Sequence, residues 1–484
     1  MLPHLPNEIL YLIFGNENLD ACDLPQLTGV SKDWHALWEN IYALPSLIKL
    51  IPEDAWCMEE GSVCSGRQLT LTRALTEKDW EAVYKRSCLV KTLEMNMNYT
   101  GFRSHCLAQP VAEAIVQHPP AQRLLPNLRH LHFNVYSHPP DNCSPVYGAL
   151  LHILLSPTIT SLSVPCQWAN ILADPLSMAG LCNTMEDIRL ESNADTTADP
   201  ETHTSLLVEA IDRWTHLRTV QLEVVMCDPT LLLSLSRKSA LETLDLHFCQ
   251  IADDYRIVPP YRLVGFPSLW YLALRGGTAK CATAVIEEVQ QLLQAVGHHT
   301  APSTLRDIGL VATASKSRSL LYVHLQPLAA FRRLAQVTVN VTRGVLLTDD
   351  EHAHVAAWWP ELEVLQLNTM ALNITRATLK ALVPYARSCP TLRCLHIPLS
   401  AYYHDTIPDA PSDLRSRSFE HPLKNLDVGN SPLHSADRYA KKAARFLRSV
   451  FPGLNRVTYE SENWSRPWHL VNRLLECPAP IEPE

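Results

Sequence analysis

The sequence predicts an α/β fold in which short parallel strands alternate with helices along most of the chain. A phrase of the form ϕ-x-x-ϕ-x-ϕ, where ϕ is an apolar residue, recurs at intervals of 24 to 38 residues. One copy runs from Leu241 to Cys249. Its Leu244 and Leu246 face one side of a strand, while Thr243 and Asp245 face the other. A single such strand cannot bury its apolar side alone, so the repetition predicts a stacked array with a curved parallel sheet.

Residues 1–44 come before the repeat and are predicted to form three short helices. Pro6 suits the start of the first helix, where its missing N–H costs nothing. The negative charge of Glu8 stabilises the N-terminal end of the same helix. Ser31 is a good N-cap for the third helix, which Pro45 ends. Three helices in so short a stretch make a small module with a small core of its own.

The repeated phrase fills the chain from about residue 89 to residue 460, after a connecting strand and helix segment at 45–88. In that segment the residues from Leu47 to Leu50 form a short piece with alternating apolar residues. Thr76 with Asp79 predicts a capped helix. Residues 461–484 are predicted to supply a C-terminal cap and tail. The predicted strand centres are Leu93, Leu131, Leu162, Ile188, Val220, Leu244, Leu272, Ile308, Val337, Leu365, Leu395, Leu426 and Val457.

Helical patterns and prolines separate the strands. Apolar stripes predict helices over Ser205 to Trp214, Cys281 to Val296 and Asp437 to Phe451. Alternation of strand and helix favours parallel strands with crossover helices. Five prolines stand two residues before a repeat leucine, where proline stops a helix and favours extended structure; they are Pro126, Pro267, Pro360, Pro390 and Pro452.

The composition argues against several classes of function. A net charge of −9 and a pI near 6.2 argue against nucleic-acid binding. No phosphate-binding loop, nucleophile motif or metal-ligand spacing occurs, so neither an enzyme nor a cofactor nor a metal is expected. The histidine pair His130 and His132 shares one strand face and is only a weak metal candidate. No apolar run could span a membrane, and 14 scattered cysteines without a C-x-x-C pair favour the cytoplasm or nucleus.

The N-terminal segment resembles an F-box. The resemblance is carried by Leu5-Pro-x-Glu-Ile-Leu10 and by Asp23-Leu-x-x-Leu-x-x-Val-Ser-Lys-x-Trp-x-x-Leu37. In that family the matching residues dock on the Skp adaptor, which joins a ubiquitin ligase through a cullin scaffold. The resemblance therefore implies adaptor-binding roles for six residues, namely Leu5, Pro6, Ile9, Leu10, Val30 and Trp34.

The repeated strands resemble irregular leucine-rich repeats, and the whole chain resembles F-box proteins that carry such repeats, above all the divergent fungal type. The resemblance implies a substrate-recognition subunit of a Skp–cullin–F-box ubiquitin ligase. The alternative is a leucine-rich-repeat interaction scaffold without a link to ubiquitination. A small-molecule receptor is a third reading, but no basic cluster suited to an anionic ligand supports it.

The polar face of the strands is where a target protein is expected to bind. Acidic side chains outnumber basic ones on this face by eight to three, which predicts a target with a basic patch. An acidic chain would also carry an acidic strand face without any target, so this alternative stays open. The candidate target-binding residues are Asp187, Glu191, Glu223, Asp245, His247 and Arg275.

Overall fold

The computed structural model describes residues 44–60, 67–96, 106–107, 109–134, 145–168, 171–172, 183–191, 200–227, 229–251, 265–276, 303–312, 319–367, 375–402, 407–409, 421–460 and 465–476. The chain divides into two compact units, unit one (Met1–Glu223) and unit two (Val224–Glu484). The division falls inside the predicted array, within the strand Thr219–Cys227. The predicted F-box helices and the predicted helix Cys281 to Val296 lie outside the described residues.

Unit one alternates strands and helices. Its helices are Leu44–Ile48, Glu77–Ser87, Gln109–Gln117, Pro145–Leu154 and Pro200–Arg213, with 3₁₀ turns at Glu53–Ala55 and Cys166–Trp168. Its strands are β1 (Trp56–Glu60), β2 (Arg67–Leu71), β3 (Thr92–Asn96), β4 (Cys106–Leu107), β5 (His130–Asn134), β6 (Ser161–Pro165), β7 (Asp187–Glu191) and β8 (Thr219–Cys227), the last crossing the division.

The parallel ladder of unit one runs β3, β5, β6, β7, β8. Five predicted strand centres are paired directly across neighbouring strands, in the order Leu93, Leu131, Leu162, Ile188 and Val220. All five are at most 2% exposed. The parallel-strand prediction is therefore confirmed here, because each centre is the second residue of its strand and enters the same buried layer.

The connecting segment differs in part from the prediction. Leu44–Ile48 forms a helical turn, so the alternating piece predicted over Leu47 to Leu50 is wrong. Pro45 lies within this helical turn, so the prediction that it ends a helix is also wrong; Leu44, Leu47 and Ile48 are buried at helical spacing. The capped helix is confirmed as Glu77–Ser87, and the Thr76 amide donates to Asp79 Oδ2 at 2.8 Å. A separate small sheet has the order β1-β2-β4, with β1 antiparallel to β2.

Unit two continues the alternation of strand and helix. Its helices are Pro229–Ser236, Tyr322–Leu325, Asp349–Trp358, Leu382–Ser388, Asp437–Val450 and Ser465–Glu476, with 3₁₀ turns at Gln326–Ala330 and Leu379–Ala381. Its strands are β9 (Thr243–Ile251), β10 (Tyr271–Gly276), β11 (Asp307–Ala312), β12 (Leu320–Leu321), β13 (Gln336–Val341), β14 (Val345–Leu346), β15 (Val364–Leu367), β16 (Cys394–His396), β17 (Asn425–Asp427) and β18 (Arg456–Thr458).

The ladder of unit two is parallel throughout and runs β9, β10, β11, β13, β15, β16, β17, β18. The remaining eight predicted centres, from Leu244 to Val457, are paired in register along it. Of the five leucines that follow the repeat prolines, Leu128 lies in unit one and the other four lie in unit two. Four of the five are completely buried, and the fifth, Leu454, is 2% exposed. Each proline thus ends one repeat where the next strand begins.

Large aromatic side chains fill the layer between the strands and helices of unit two. Trp359 is completely buried, and its indole Nε1 donates to the Leu328 carbonyl at 3.2 Å. Cys389 follows the helix Leu382–Ser388, and its thiol lies 3.5 Å from the carbonyl oxygens of Ala356 and Trp359. Burial raises the pKa of this thiol to about 12, so it stays protonated. Successive repeats are thereby held together by side-chain contacts with backbone carbonyls.

The helix Ser465–Glu476 packs against β18, the last strand of the ladder. Asn472 accepts a hydrogen bond from the Val457 amide at 2.7 Å and donates one to the Val457 carbonyl at 2.8 Å. Trp468 is fully buried and donates to the Ser431 carbonyl at 2.9 Å. The Asn472 side chain therefore takes the place of a further strand at this edge.

Candidate functional site

The strands present their first, third and fifth residues on the side opposite the buried layer, because side chains alternate along a strand. Strand β13 shows the alternation clearly, with Val337, Val339 and Val341 buried and the residues between them exposed or half-buried. We call the residues at these alternating positions the outward row. The outward row of each unit is the candidate binding surface.

In unit one the outward row is organised around Glu191. This side chain is only 8% exposed and accepts hydrogen bonds from Asn134 Nδ2 at 2.8 Å and Ser163 Oγ at 3.0 Å. Arg189, two residues earlier on the same strand, places its Nε 3.0 Å from Glu191 Oε1. Asp187 and Glu223, the other two candidates of this unit, are half-buried. The Glu191 carboxylate is thus engaged by neighbouring side chains of the protein itself. Asp187 and Glu223 are the more accessible acidic residues of the row.

In unit two the structure brings together the other three candidates. Arg275 donates from Nε to Asp245 Oδ1 at 3.1 Å and from its Nη2 to Oδ2 at 2.8 Å. Asp245 is 8% exposed, whereas Arg275 is exposed. His247 stands directly opposite Arg275 in the β9–β10 register. This two-point ion pair fixes the guanidinium across two neighbouring strands.

Tyr271 and Asp307 extend the same surface. They are paired in register at the first positions of β10 and β11. Burial raises the pKa of Tyr271, and the carboxylates of Asp245 and Asp307 add to the rise, while Arg275 opposes it. Burial also raises the pKa of Asp307. The Tyr271 phenol and the Asp307 carboxylate are thus half-buried polar groups on the same side as Asp245 and Arg275.

A second polar pair lies further along the ladder of unit two. His396 Nδ1 lies 3.4 Å from Asp427 Oδ2, and the histidine is 5% exposed. Burial lowers the pKa of His396, and the nearby carboxylates of Asp427 and Glu460 act in the opposite direction. Gly429, with φ of +51°, covers the ring: a Cβ at this position would lie 3.3 Å from His396 Nε2. His396 is therefore buried beneath this turn, whereas Asp427 is half-buried.

Some members of these clusters are missing from the sequence-based set. Ser163 lies 28 residues before Glu191 and Asn134 lies 57 residues before it, which is one and two repeats away. Aligning the repeats on their centres would have placed both on the same face as Glu191, with Ser163 one strand away and Asn134 two strands away. Tyr271 could have been found in the same way, because it takes the first position of its strand as Asp187 does in β7.

Of the remaining sequence-based candidates, His132 belongs to the Glu191 cluster, because its Nε2 lies 3.9 Å from Glu191 Oε1. All six predicted adaptor-binding residues, Leu5, Pro6, Ile9, Leu10, Val30 and Trp34, lie outside the described residues. His130 and His132 share the outward face of β5, as the spacing predicts. Within the described ranges, no group of three His, Cys, Asp or Glu side chains is placed to hold a metal ion. Nor does any helix described there have the length and apolar character to cross a membrane.

Comparison with known proteins adds a finding for each part of the chain. Residues 2–44 match the family model described as F-box-like. No curated protein matches the chain. Among solved structures, 88 chains match, and one is a plant peptide hormone receptor, RGFR1, in complex with RGF2. That match has 13% sequence identity and a TM-score of 0.33, and it covers 78% of this chain and 56% of the receptor chain.

The F-box-like match and the strand ladder cover different parts of the chain. The family match covers the segment whose residues carry the F-box resemblance, from Leu5 to Leu37. The ladder strands that follow are parallel within each unit and keep their apolar centres in register. The chain therefore combines an F-box-like segment at residues 2–44 with a leucine-rich-repeat-like domain of parallel strands and helices.

Proposed function

We propose that this chain is the substrate-recognition subunit of a Skp–cullin–F-box type ubiquitin ligase. The observation that carries the proposal is the F-box-like match at residues 2–44, next to an array with an outward row of polar side chains. F-box segments generally bind Skp-type adaptors, and the adaptor would connect the chain to a cullin scaffold. The outward row would hold the target protein.

The proposed role needs no catalytic group in this chain. Holding a target beside a ubiquitin-conjugating enzyme raises the effective concentration of its lysines, so that the transfer becomes in effect intramolecular. For this purpose the binding surface should be rigid before the target arrives, since ordering side chains on binding costs free energy. The Asp245–Arg275 pair and the bonds to Glu191 support this idea, because they already fix their side chains.

The adaptor part of the proposal is tested by co-purification. The double variant Leu5→Ala/Pro6→Ala should lose the co-expressed Skp adaptor, which the unchanged chain retains at one-to-one stoichiometry. The reason is that both residues match the F-box motif that contacts the adaptor. Thermal unfolding followed by circular dichroism should show the same midpoint for both proteins, because residues 44–476 supply the described core.

A matched control removes the same side chains elsewhere. Pro52 is exposed and Leu321 is 41% exposed, so Pro52→Ala/Leu321→Ala should keep the adaptor. Retention of the adaptor by Leu5→Ala/Pro6→Ala would refute the F-box role of these residues. If the unchanged chain itself fails to bind the adaptor, the interaction-scaffold alternative takes the place of the ligase proposal.

A further inference from the structure

The outward row of unit two contains a gap at Gly309. Gly309 stands at the third position of β11, in register with Ala273 on one side and Thr338 on the other. A Cβ added to Gly309 would meet only the Cβ of Ala273 at 3.7 Å and its Cα at 3.9 Å among the described residues, which is ordinary contact. Among the described side chains, a glycine beside an alanine therefore leaves a recess between the longer side chains of the row.

One end of this recess is formed by Asp307, which lies two residues before Gly309 on the same face of β11. The side chain is half-buried, and its carboxylate receives no hydrogen bond and forms no ion pair within the part of the chain that the structure describes. Burial without a partner disfavours the charged form, which agrees with the raised pKa of this group. Asp307 thus has an unfilled requirement for a donor or a cation.

Arg275, on the strand next to the one that carries Asp307, already has a carboxylate partner. Arg275 is held on Asp245 by two hydrogen bonds, at 2.8 and 3.1 Å, and this arrangement spans β9 and β10 rather than reaching over β11. Counting only side chains that the structure describes, Asp245 and Asp307 with Arg275 give this part of the row one more negative than positive charge. The ion pair also prevents Arg275 from moving to Asp307 without losing its own partner.

The Tyr271 side chain forms the adjoining side. Tyr271 is paired in register with Asp307. The Trp270 ring meets the Tyr271 ring edge-on, with centroids 5.9 Å apart and planes at 63°. Trp270 is 44% exposed and is one of four exposed large apolar side chains among the described residues. Tryptophan, tyrosine and arginine are the residues that dominate protein-binding hot spots, and aromatic faces attract cations.

We infer that the Gly309 recess, formed by Gly309, Asp307, Tyr271 and Thr338, binds a lysine or arginine side chain of the target protein. The aliphatic stem of such a side chain would lie over Gly309 beside Tyr271, and its charged end would reach Asp307. An acidic side chain would be repelled there, and an apolar one would leave the Asp307 carboxylate desolvated. This inference rests on the proposed function in so far as the basic side chain belongs to a target.

The test uses peptides of defined central residue and random flanks, presented to the chain in complex with the Skp adaptor. Pools with central arginine or lysine should be retained, and the retained peptides should lose affinity about tenfold or more when arginine becomes citrulline or lysine is acetylated. Both changes remove the charge and keep the length of the side chain. Binding is measured by interferometry on the immobilised complex.

Two variants locate the binding at the recess. Asp307→Asn removes the charge, and Gly309→Val fills the space; each should lower the affinity of the retained peptides about tenfold. The backbone of Gly309 allows a side chain, and valine favours strands, so Gly309→Val should fold with an unchanged thermal midpoint. Glu81→Gln, which neutralises an exposed carboxylate in the helix Glu77–Ser87, is the control and should bind as the unchanged chain does.

Three results would overturn the inference: no retained peptide in either basic pool, equal affinity for arginine and citrulline, or unchanged affinity in both recess variants. These results are separable from a failure of the proposed function. If the adaptor binds but the basic peptides do not, the recess inference fails and the ligase role stands. If the peptides bind a chain that does not take the adaptor, the recess remains a binding site and the ligase role fails.

Discussion

Replacing Asn472 by alanine should destabilise the C-terminal edge of unit two. The Asn472 side chain makes two hydrogen bonds with the backbone of Val457, at 2.7 and 2.8 Å, on the side of β18 that has no neighbouring strand in the ladder. Val457 is completely buried, and the helix Ser465–Glu476 covers it. Alanine would leave the Val457 amide and carbonyl without partners beneath that helix.

The size of the effect follows from these two bonds. Each is worth roughly 0.5–1.5 kcal/mol net, and an unpaired buried backbone group adds a penalty, so the expected loss is about 3 kcal/mol. For a domain of this size, about 1 kcal/mol lowers the melting temperature by roughly 2–4 °C, which gives about 6–12 °C. Asn472→Asp should be at least as damaging, because a carboxylate oxygen would face the Val457 carbonyl in place of the N–H donor.

The assay is thermal unfolding followed by circular dichroism, with Asn455→Ala as the control. Asn455 is exposed in the turn before β18, and among the described residues only its backbone is hydrogen-bonded, so its replacement should change stability by less than about 0.5 kcal/mol. If Asn472→Ala melts within about 1 °C of Asn455→Ala, the idea that Asn472 substitutes for a further strand is wrong. A large loss for alanine with full stability for aspartate would also refute the hydrogen-bond argument.

Two further predictions concern buried ionisable groups. His352 is hydrogen-bonded to the Tyr385 hydroxyl at 2.8 Å, and burial lowers its pKa to about 3, below the 6.5 of the unfolded chain. Its neutral form therefore favours folding above pH 6.5, and this contribution is lost as the pH falls towards 3, by about 2 kcal/mol at pH 5. Urea unfolding at pH 7.5 and 5 should show a smaller decline for His352→Gln, and an equal decline would contradict this reasoning. Asp79 accepts two hydrogen bonds from Arg73, at 2.8 and 2.9 Å, and this guanidinium holds its pKa far below the usual range. Asp79→Asn should cost about 2 kcal/mol at pH 7, and the difference from the unchanged chain should shrink below pH 4, where the carboxylate of the unfolded chain takes up a proton; a difference that stays constant with pH would refute it.

The strand ladder was largely predictable from the sequence, and the reason is local. Side chains alternate along a strand, so the spacing of Leu244 and Leu246 already decides which residues enter the core. The same argument applied at all thirteen predicted centres, each of which lies in a parallel strand. Helix starts were less certain. The helix predicted from Ser205 begins instead at Pro200, because proline is well suited to a first helical position that an apolar pattern does not reveal.

The candidate surfaces were predictable only in part. Alternation placed Asp245, His247 and Arg275 on the outward side, and the register confirms this placement. The sequence did not show that Asp245 is engaged by Arg275 while Asp307 has no partner in the described chain, although both are aspartates of the same row. That difference depends on which side chains stand beside them on neighbouring strands, some 30 residues away in the chain.

The sequence by itself determined the F-box-like segment, the strand–helix alternation and the buried centres of the repeats, because each depends on residues close together in the chain. Only the tertiary structure decided how the outward side chains pair. It buried Glu191 among Asn134, Ser163 and Arg189, and it left room for a Cβ at Gly309. The physical reason is that an ion pair or a gap between strands depends on register, and register is set by the packing of whole repeats against one another.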